Sequence, residues 1–294
     1  MSKALVLSGG GAVGVAWETG VVFGLARGGV DLRDANFVTG TSAGSSVGAR
    51  VAAGQDLESV VAFYRDMGRK LAANAMPRMG PTDEELGAVM GKIADTLTGD
   101  GTPEARRAKL GQFALAAPAA PEEVLLERFA DLKDVAWPPS YHCPTIDAET
   151  GEWVVWDSTS GVGLDRGIAS SCCVPGLSAP ITINGRRYID GGFRSPTSAD
   201  LAKGNDLVLV ISLVDRSAQT GAFAQMGFGA QLERELQYLR DSGSEVLMFE
   251  ADSYSKAAIG INPMDSSKAP AALEAGIRQG ETEASRIGAF WNSL

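Results

Sequence analysis

Two short apolar runs each end in a glycine-bounded turn. Leu5-Val6-Leu7 leads into Gly9-Gly10-Gly11-Ala12-Val13-Gly14, and Asn36-Phe37-Val38-Thr39 leads into Gly40-Thr41-Ser42-Ala43-Gly44. A stretch of helical character follows each turn, from Val15 to Arg27 and from Ser45 to Gly54. Strand, tight turn and helix repeated in this order point to an α/β fold with a mostly parallel sheet, because parallel neighbours need a covering crossover.

The second turn carries the chemistry. Ser42 stands in a G-x-S-x-G pattern, which alone weighs little in a chain with 36 glycines among 294 residues. Its position between strand and helix weighs more: a sharp turn there lifts the hydroxyl out of the sheet and aims helix N-terminal amides at whatever it attacks. The competing reading is a Gly/Ser turn without chemistry. With the first glycine loop alongside, Ser42 reads as a nucleophile next to an anion-stabilising loop.

A chain of 294 residues with 45% apolar and 21% charged residues is ordinary globular composition, and one elaborated domain over 1–294 accounts for it. No run approaches the roughly 18 apolar residues of a membrane span. The apolar start stops at Ser8 and reads as a first strand rather than a signal peptide. A net charge of −10 argues against nucleic acid and against recruitment to anionic membranes, leaving at most transient, apolar membrane contact. Three cysteines, Cys143, Cys172 and Cys173, make no disulfide framework and point to a reducing cytoplasm. His142 beside Cys143 lacks partners at ligand spacing, so no metal is expected, and no cofactor either.

Further along, a helix is expected from Leu57 to Ala73, then a break at Ala75–Pro81. Asp83–Leu97, Pro103–Leu115 and Pro121–Ala130 read as three helices, so that roughly 75–133 is a helical insertion in the alternating pattern. Hairpins are expected at Tyr141–Asp147/Trp153–Asp157 and at Ile181–Ile183/Arg187–Ile189, the latter turning at Asn184-Gly185. Val208–Val214 and Glu245–Glu250 read as buried strands, with helices at Gln231–Ser242 and Pro270–Phe290. Met76, Met79, Met90, Trp137 and Tyr141 read either as an adaptable apolar lid or as core. The glycine-rich apolar segment 220–231 is a candidate flap or a buried connection.

A serine nucleophile needs a base. His142, the chain's one histidine, precedes Cys143-Pro144 within an expected strand, where a structural role is favoured. Asp190, in Tyr188-Ile189-Asp190-Gly191-Gly192, follows a strand and stands in a glycine turn, which makes it the stronger candidate.

Taken in order, these motifs resemble the patatin-like acyl hydrolases and phospholipases. Leu5 to Gly14 looks like the family's oxyanion loop, Gly40-Thr41-Ser42-Ala43-Gly44 its nucleophile motif, and Asp190-Gly191-Gly192 its D-G-[GA] motif. Ala169 to Leu177 is similar to its Ser- and Pro-containing fourth block. The resemblance implies a three-layer α/β/α fold, a Ser42–Asp190 dyad, oxyanion donors at Gly10, Gly11 and Ala12, supporting glycines at Gly9, Gly14, Gly40, Gly44, Gly191 and Gly192, and a lipid or other acyl-ester substrate. Two departures stand out: Val13 where the family usually has Arg or Lys, and Ser195-Pro196 where it usually has Asn-Pro. Val13 shifts the expected substrate from an anionic phospholipid toward a neutral ester. Two hydrolase rivals are an acyltransferase and a silent binding module that keeps the fold. G-x-G-x-x-G at Gly9–Gly14 also fits a dinucleotide site, but the second strand ends in Gly40-Thr41-Ser42 rather than in an acidic residue.

Overall fold

The computed structural model describes residues 1–76, 80–216 and 222–293. The chain begins β1 (Lys3–Leu7), α1 (Gly11–Arg27), β2 (Phe37–Gly40), α2 (Ala43–Ala52) and α3 (Glu58–Ala72). A helical block follows: α4 (Asp83–Thr98), α5 (Pro103–Ala116) and α6 (Glu122–Leu126). Next come β3 (Tyr141–Asp147), β4 (Trp153–Trp156), α7 (Leu164–Ser171), β5 (Ile181–Ile183) and β6 (Arg186–Asp190). The remainder is β7 (Leu207–Ser212), α8 (Ala222–Gln225), α9 (Phe228–Asp241), β8 (Glu245–Glu250), α10 (Ser253–Ile259) and α11 (Ala269–Trp291).

The strands form one sheet in the order β5-β6-β3-β2-β1-β7-β8, with β4 also paired to β3. The run from β3 through β8 is parallel, and the β4, β5 and β6 pairings are antiparallel. Strand alternation makes the layers. Ala4 and Val6 pack with Val208, Val210 and with Leu232 and Leu236 of α9. Leu5 and Leu7 face the other way, toward Trp17 of α1, Val47 of α2 and Ile287 of α11. Both faces are therefore covered, which explains why β1 and β7 are apolar without alternation.

The first layer depends on small residues. A Cβ at Gly24 of α1 would lie 2.3 Å from the Ile277 carbonyl of α11, and one at Gly276 2.3 Å from the Trp17 carbonyl, so these helix backbones touch. That contact presses α1 against the sheet and fixes where its N-terminus points.

Most expected elements are present, with informative shifts. α1 starts at Gly11 rather than Val15, inside the glycine loop. The third helix of the block stops early: α6 gives way to a 3₁₀ turn at Glu127–Leu132, where Phe129 has non-helical φ −119°. Asn184 and Gly185 both take positive φ, 51° and 77°, as a two-residue hairpin turn of this type requires. The block docks through Leu86, Ile93 and Leu110 onto Ile146 of β3 and Ile189 of β6. The candidate flap is mostly helical: α8 and the start of α9 occupy 222–225 and 228–231, and Phe228 is buried, while residues 220 and 221 lie outside the described ones.

Gly24→Ala should lower stability by about 1–3 kcal/mol through overpacking against α11. Gly87→Ala, on an exposed face of α4 with open space around it, should instead be neutral or stabilising by up to ~1 kcal/mol. Urea unfolding of both variants checks the contrast, and equal effects would rule out the close helix contact as its cause.

Candidate active site

Register brings the two candidate residues to one level. Thr39 of β2 stands opposite His142 of β3, and Thr145 of β3 stands opposite Asp190 of β6. Three residues beyond Thr39 is Ser42, and three beyond His142 is Thr145. A serine far upstream and an aspartate far downstream thus reach the same end of β3 from its two sides.

The turn at Ser42 is tightly built. Ser42 has φ 52° and ψ −116°, in the positive-φ region that a non-glycine residue enters only when its surroundings hold it there. A Cβ at Gly40 would sit 2.1 Å from the Gly44 carbonyl, and one at Gly44 2.4 Å from the Leu7 carbonyl, so neither glycine can be replaced without opening the turn. The Ser42 amide donates to Ser171 Oγ at 3.0 Å. Its carbonyl accepts from Ser45 Oγ at 2.6 Å and from Cys172 Sγ at 3.1 Å. Both backbone groups of the strained residue are thereby satisfied, and the side chain stays 8% exposed.

Asp190 is 3% exposed and has no cation against it. Burial raises its carboxyl from the usual carboxylate range to about 7; the Ser42 side chain and the Gly192 amide, 2.8 Å from Oδ1, oppose that shift by favouring the charged form. Ser42 stands near the carboxyl rather than tightly bonded to it, which is common before substrate fills a site. Gly191 packs against β3, where a Cβ would meet the Pro144 carbonyl at 2.4 Å, and Gly192 lies over Thr41.

The glycine loop completes the cluster. A Cβ at Gly9 would be 3.4 Å from Ser42 Cβ, and Gly14 packs against Ala43 and Leu213. The Gly9 amide is taken by the Pro196 carbonyl at 2.7 Å, that of Val13 by Pro263 at 3.0 Å, and that of Gly14 by Gly10 at 2.9 Å. The intervening amides of Gly10, Gly11 and Ala12 donate to nothing among the described residues, although these residues are half-buried at the N-terminus of α1. Unpaired, partly desolvated amides at a helix start attract an anion.

The two departures from the family pattern fall away from this cluster's open side. Val13 is fully buried in the apolar core with Trp17. Ser195 is also fully buried, and its hydroxyl accepts from the Ser198 amide at 2.8 Å and the Thr197 amide at 3.3 Å, closing a turn. That turn is pinned by Glu235, whose Oε2 accepts from Thr197 Oγ1 at 2.8 Å and the Ala199 amide at 2.9 Å. Neither Ser171, Cys172 nor Glu235 is singled out by sequence reasoning. Ser171 and Cys172 fall in the fourth block, which was the available signal; Glu235 offers none.

A cleft of about 600 Å³ opens beside the cluster. Ala12 and Cys172 are among the residues that line it, and Val89, Leu125 and Met264 supply apolar wall from α4, α6 and the segment before α11. Met76, Met90, Trp137 and Tyr141 are not on that wall. Met90 and Tyr141 are core residues, Tyr141 bonding the Ser45 carbonyl at 2.8 Å, while Trp137 donates to the Tyr141 carbonyl and Met76 packs with α3 and α11. Met79 lies outside the described residues. His142 stacks on Phe37 at 4.3 Å with Nδ1 3.2 Å from the Ser140 carbonyl, and it bonds neither Ser42 nor Asp190.

A strand-to-helix serine turn, a buried aspartate and a glycine loop thus stand together at one end of the sheet. The patatin-like phospholipase family model matches residues 5–203, and the chain belongs to that family, which places it among lipid hydrolases in general. No curated protein matches the sequence. Among solved structures, VipD from Legionella pneumophila is similar at 13% identity and TM-score 0.44, covering 97% of this chain and 67% of its own. The type III effector ExoU is similar at 17% identity and TM-score 0.35, covering 95% of this chain. This chain spans about half of ExoU, 53%. Among the described residues no helix is long and apolar enough to cross a membrane.

Asp190 also makes a stability prediction. Its folded value near 7 exceeds the unfolded value near 3.8, so the folded state holds the proton more tightly and stability is lost as pH rises through about 7. Asp190→Asn should therefore stabilise the fold most above pH 7, with the gain shrinking as pH falls toward 4. Urea denaturation of both proteins across that range measures it; a pH-independent difference would contradict the burial argument.

Proposed function

We propose that the protein is a serine acyl hydrolase that cleaves carboxylic esters of lipids, of phospholipase A or lipase type. Asp190 takes the Ser42 proton, Ser42 Oγ adds to the ester carbonyl, and the amides of Gly10, Gly11 and Ala12 receive the oxyanion. Collapse expels the alcohol and leaves an acyl-enzyme, which water then cleaves by the reverse proton path. The observation that carries this reading is the set of three unpartnered amides beside Ser42, in a loop whose flanking amides are all taken. Each oxyanion donor in such sites contributes about 2.7–4 kcal/mol to the transition state.

Burial of Asp190 changes the expected pH behaviour. An ordinary aspartate would be ionised throughout the neutral range; one at about 7 is a base only above it. kcat/KM for a short-chain aryl ester should rise through pH 7 and then level. A histidine base would give a similar curve, so substitution must separate the two.

Ser42→Ala should abolish both hydrolysis and fluorophosphonate labelling. Asp190→Asn should lower kcat by roughly 10²–10⁴-fold, whereas His142→Ala should retain acylation. A wild-type protein that neither labels nor hydrolyses any ester, or a His142 variant worse than the Asp190 variant, would overturn the assignment.

A further inference from the structure

One buried carboxyl takes no part in the proposed reaction. Glu18 lies in α1, about two turns in from the glycine loop, and is fully buried. No cation faces it. Its hydrogen-bond partner is Ser8, whose Oγ lies 3.4 Å from Oε1, while Oε2 has no partner among the described residues. Burial pushes this carboxyl well above the usual carboxylate range, and the Ser8 amide and hydroxyl oppose the shift only in part. Leaving one oxygen of an ionised carboxylate naked in the core is far costlier than leaving the carbonyl oxygen of a neutral acid, so Glu18 holds a proton.

That proton decides what Ser8 does. The Ser8 hydroxyl has one hydrogen and two acceptors in reach, the Gly9 carbonyl at 3.1 Å and Glu18 Oε1 at 3.4 Å. A neutral Glu18 donates its own proton to Ser8 Oγ, which also accepts the Leu213 amide at 2.9 Å, and this leaves the hydroxyl hydrogen for Gly9. No backbone amide of the described residues bonds the Gly9 carbonyl. The Gly9–Gly10 peptide is planar and trans, so its carbonyl and its N–H point in opposite directions. A bond that fixes the Gly9 carbonyl therefore aims the Gly10 N–H, one of the three amides left unpartnered beside Ser42.

We infer that Ser8 and Glu18 are positioning residues of the oxyanion loop: Glu18 turns the Ser8 hydroxyl onto the Gly9 carbonyl, and through that peptide the pair aims the Gly10 amide at the ester oxygen. The inference rests on the hydrolase reading for the presence of an ester there. It accounts for a buried acid without a cation, which the fold alone would be more stable without. It also extends the site inward, from the open face of the loop to the core side of α1.

The test separates catalysis from stability. kcat and KM for a short-chain aryl ester, together with the urea midpoint, are measured on the full chain carrying Glu18→Met, Glu18→Gln, Ser8→Ala, or Glu18→Met with Ser8→Ala. Glu18→Met puts an apolar chain of similar length in the acid's place. It should lower kcat by roughly 10- to 100-fold, as a misplaced oxyanion donor does, with KM little changed and the urea midpoint equal to or above that of wild type. Glu18→Gln, whose amide N–H replaces the acid proton, should recover most of that loss. Because both side chains act through one peptide, the double variant should be no slower than Ser8→Ala alone. An unchanged kcat, a Gln variant as slow as the Met variant, or losses that multiply in the double variant would overturn the proposal. If Glu18→Met does not fold, Ser8→Ala and Glu18→Gln decide it: the first must be slow at unchanged KM and the second close to wild type. A wild-type protein that hydrolyses no ester overturns the hydrolase reading underneath, whereas an active wild type whose variants keep its kcat overturns this assignment alone.

Discussion

Gly44 approaches the end of β1 so closely that a methyl group would lie 2.4 Å from the Leu7 carbonyl, and the rest of the site depends on that approach. The Gly44 amide donates to the Ser8 carbonyl at 2.9 Å, so the start of α2 is clasped to the residue that opens the first glycine loop. Two turns well apart in sequence become neighbours because their strands are adjacent and parallel. Ser42 accepts positive φ as the consequence. Such a conformation costs on the order of 1–3 kcal/mol, and the Ser42 amide's bond to Ser171 with the bonds its carbonyl accepts from Ser45 and Cys172 hold the residue there.

Buried carboxylates in this protein take opposite directions, and the contrast explains Asp190. Asp147 is buried too, yet it sits below the usual carboxylate range because the amides of Thr150 and Glu149, the Thr150 hydroxyl and lastly Arg186 stabilise its charge against desolvation. Asp190 has one amide and one hydroxyl for the same task and no cation, so desolvation wins. On the proposed reading, a carboxyl raised to about 7 can accept a proton from a hydroxyl and return it, which one held ionised by several donors does poorly. Burying that carboxyl without a cation costs folding stability.

The sequence made the sheet and its turns legible because both leave patterned signals. Apolar runs punctuated by glycine marked β1 and β2, and Asn184-Gly185 marked the β5–β6 hairpin. What it concealed was direction. Val13 stands in a loop that looks open, yet the first turn of α1 turns its side chain into the core. Tyr141 and Met90 look like lid material, yet the strand and helix faces that carry them point inward. Residues 220–231 read as a loop because the apolar spacing of Leu232, Leu236 and Leu239 begins only where that segment ends, so the helix was visible and its start was not. Ser171, Cys172 and Glu235 act through individual hydrogen bonds, which have no period at all.

The loop after Asp190 shows why a departure from the family pattern can be harmless. Its Pro196 carbonyl takes the Gly9 amide at 2.7 Å, and Thr41 Oγ1 reaches Ser198 Oγ at 3.4 Å, so one short segment touches both the glycine loop and the nucleophile turn. What the segment needs from residue 195 is an oxygen that caps the amides of Thr197 and Ser198, and a serine hydroxyl supplies it as an asparagine carbonyl would. Glu235 secures the far side of the same turn from α9. Pro196 takes the Gly9 amide from the loop's donors, so among the described residues those left unpartnered are Gly10, the N-cap of α1, and Gly11 and Ala12 of its first turn, where the helix dipole adds to their partial charge.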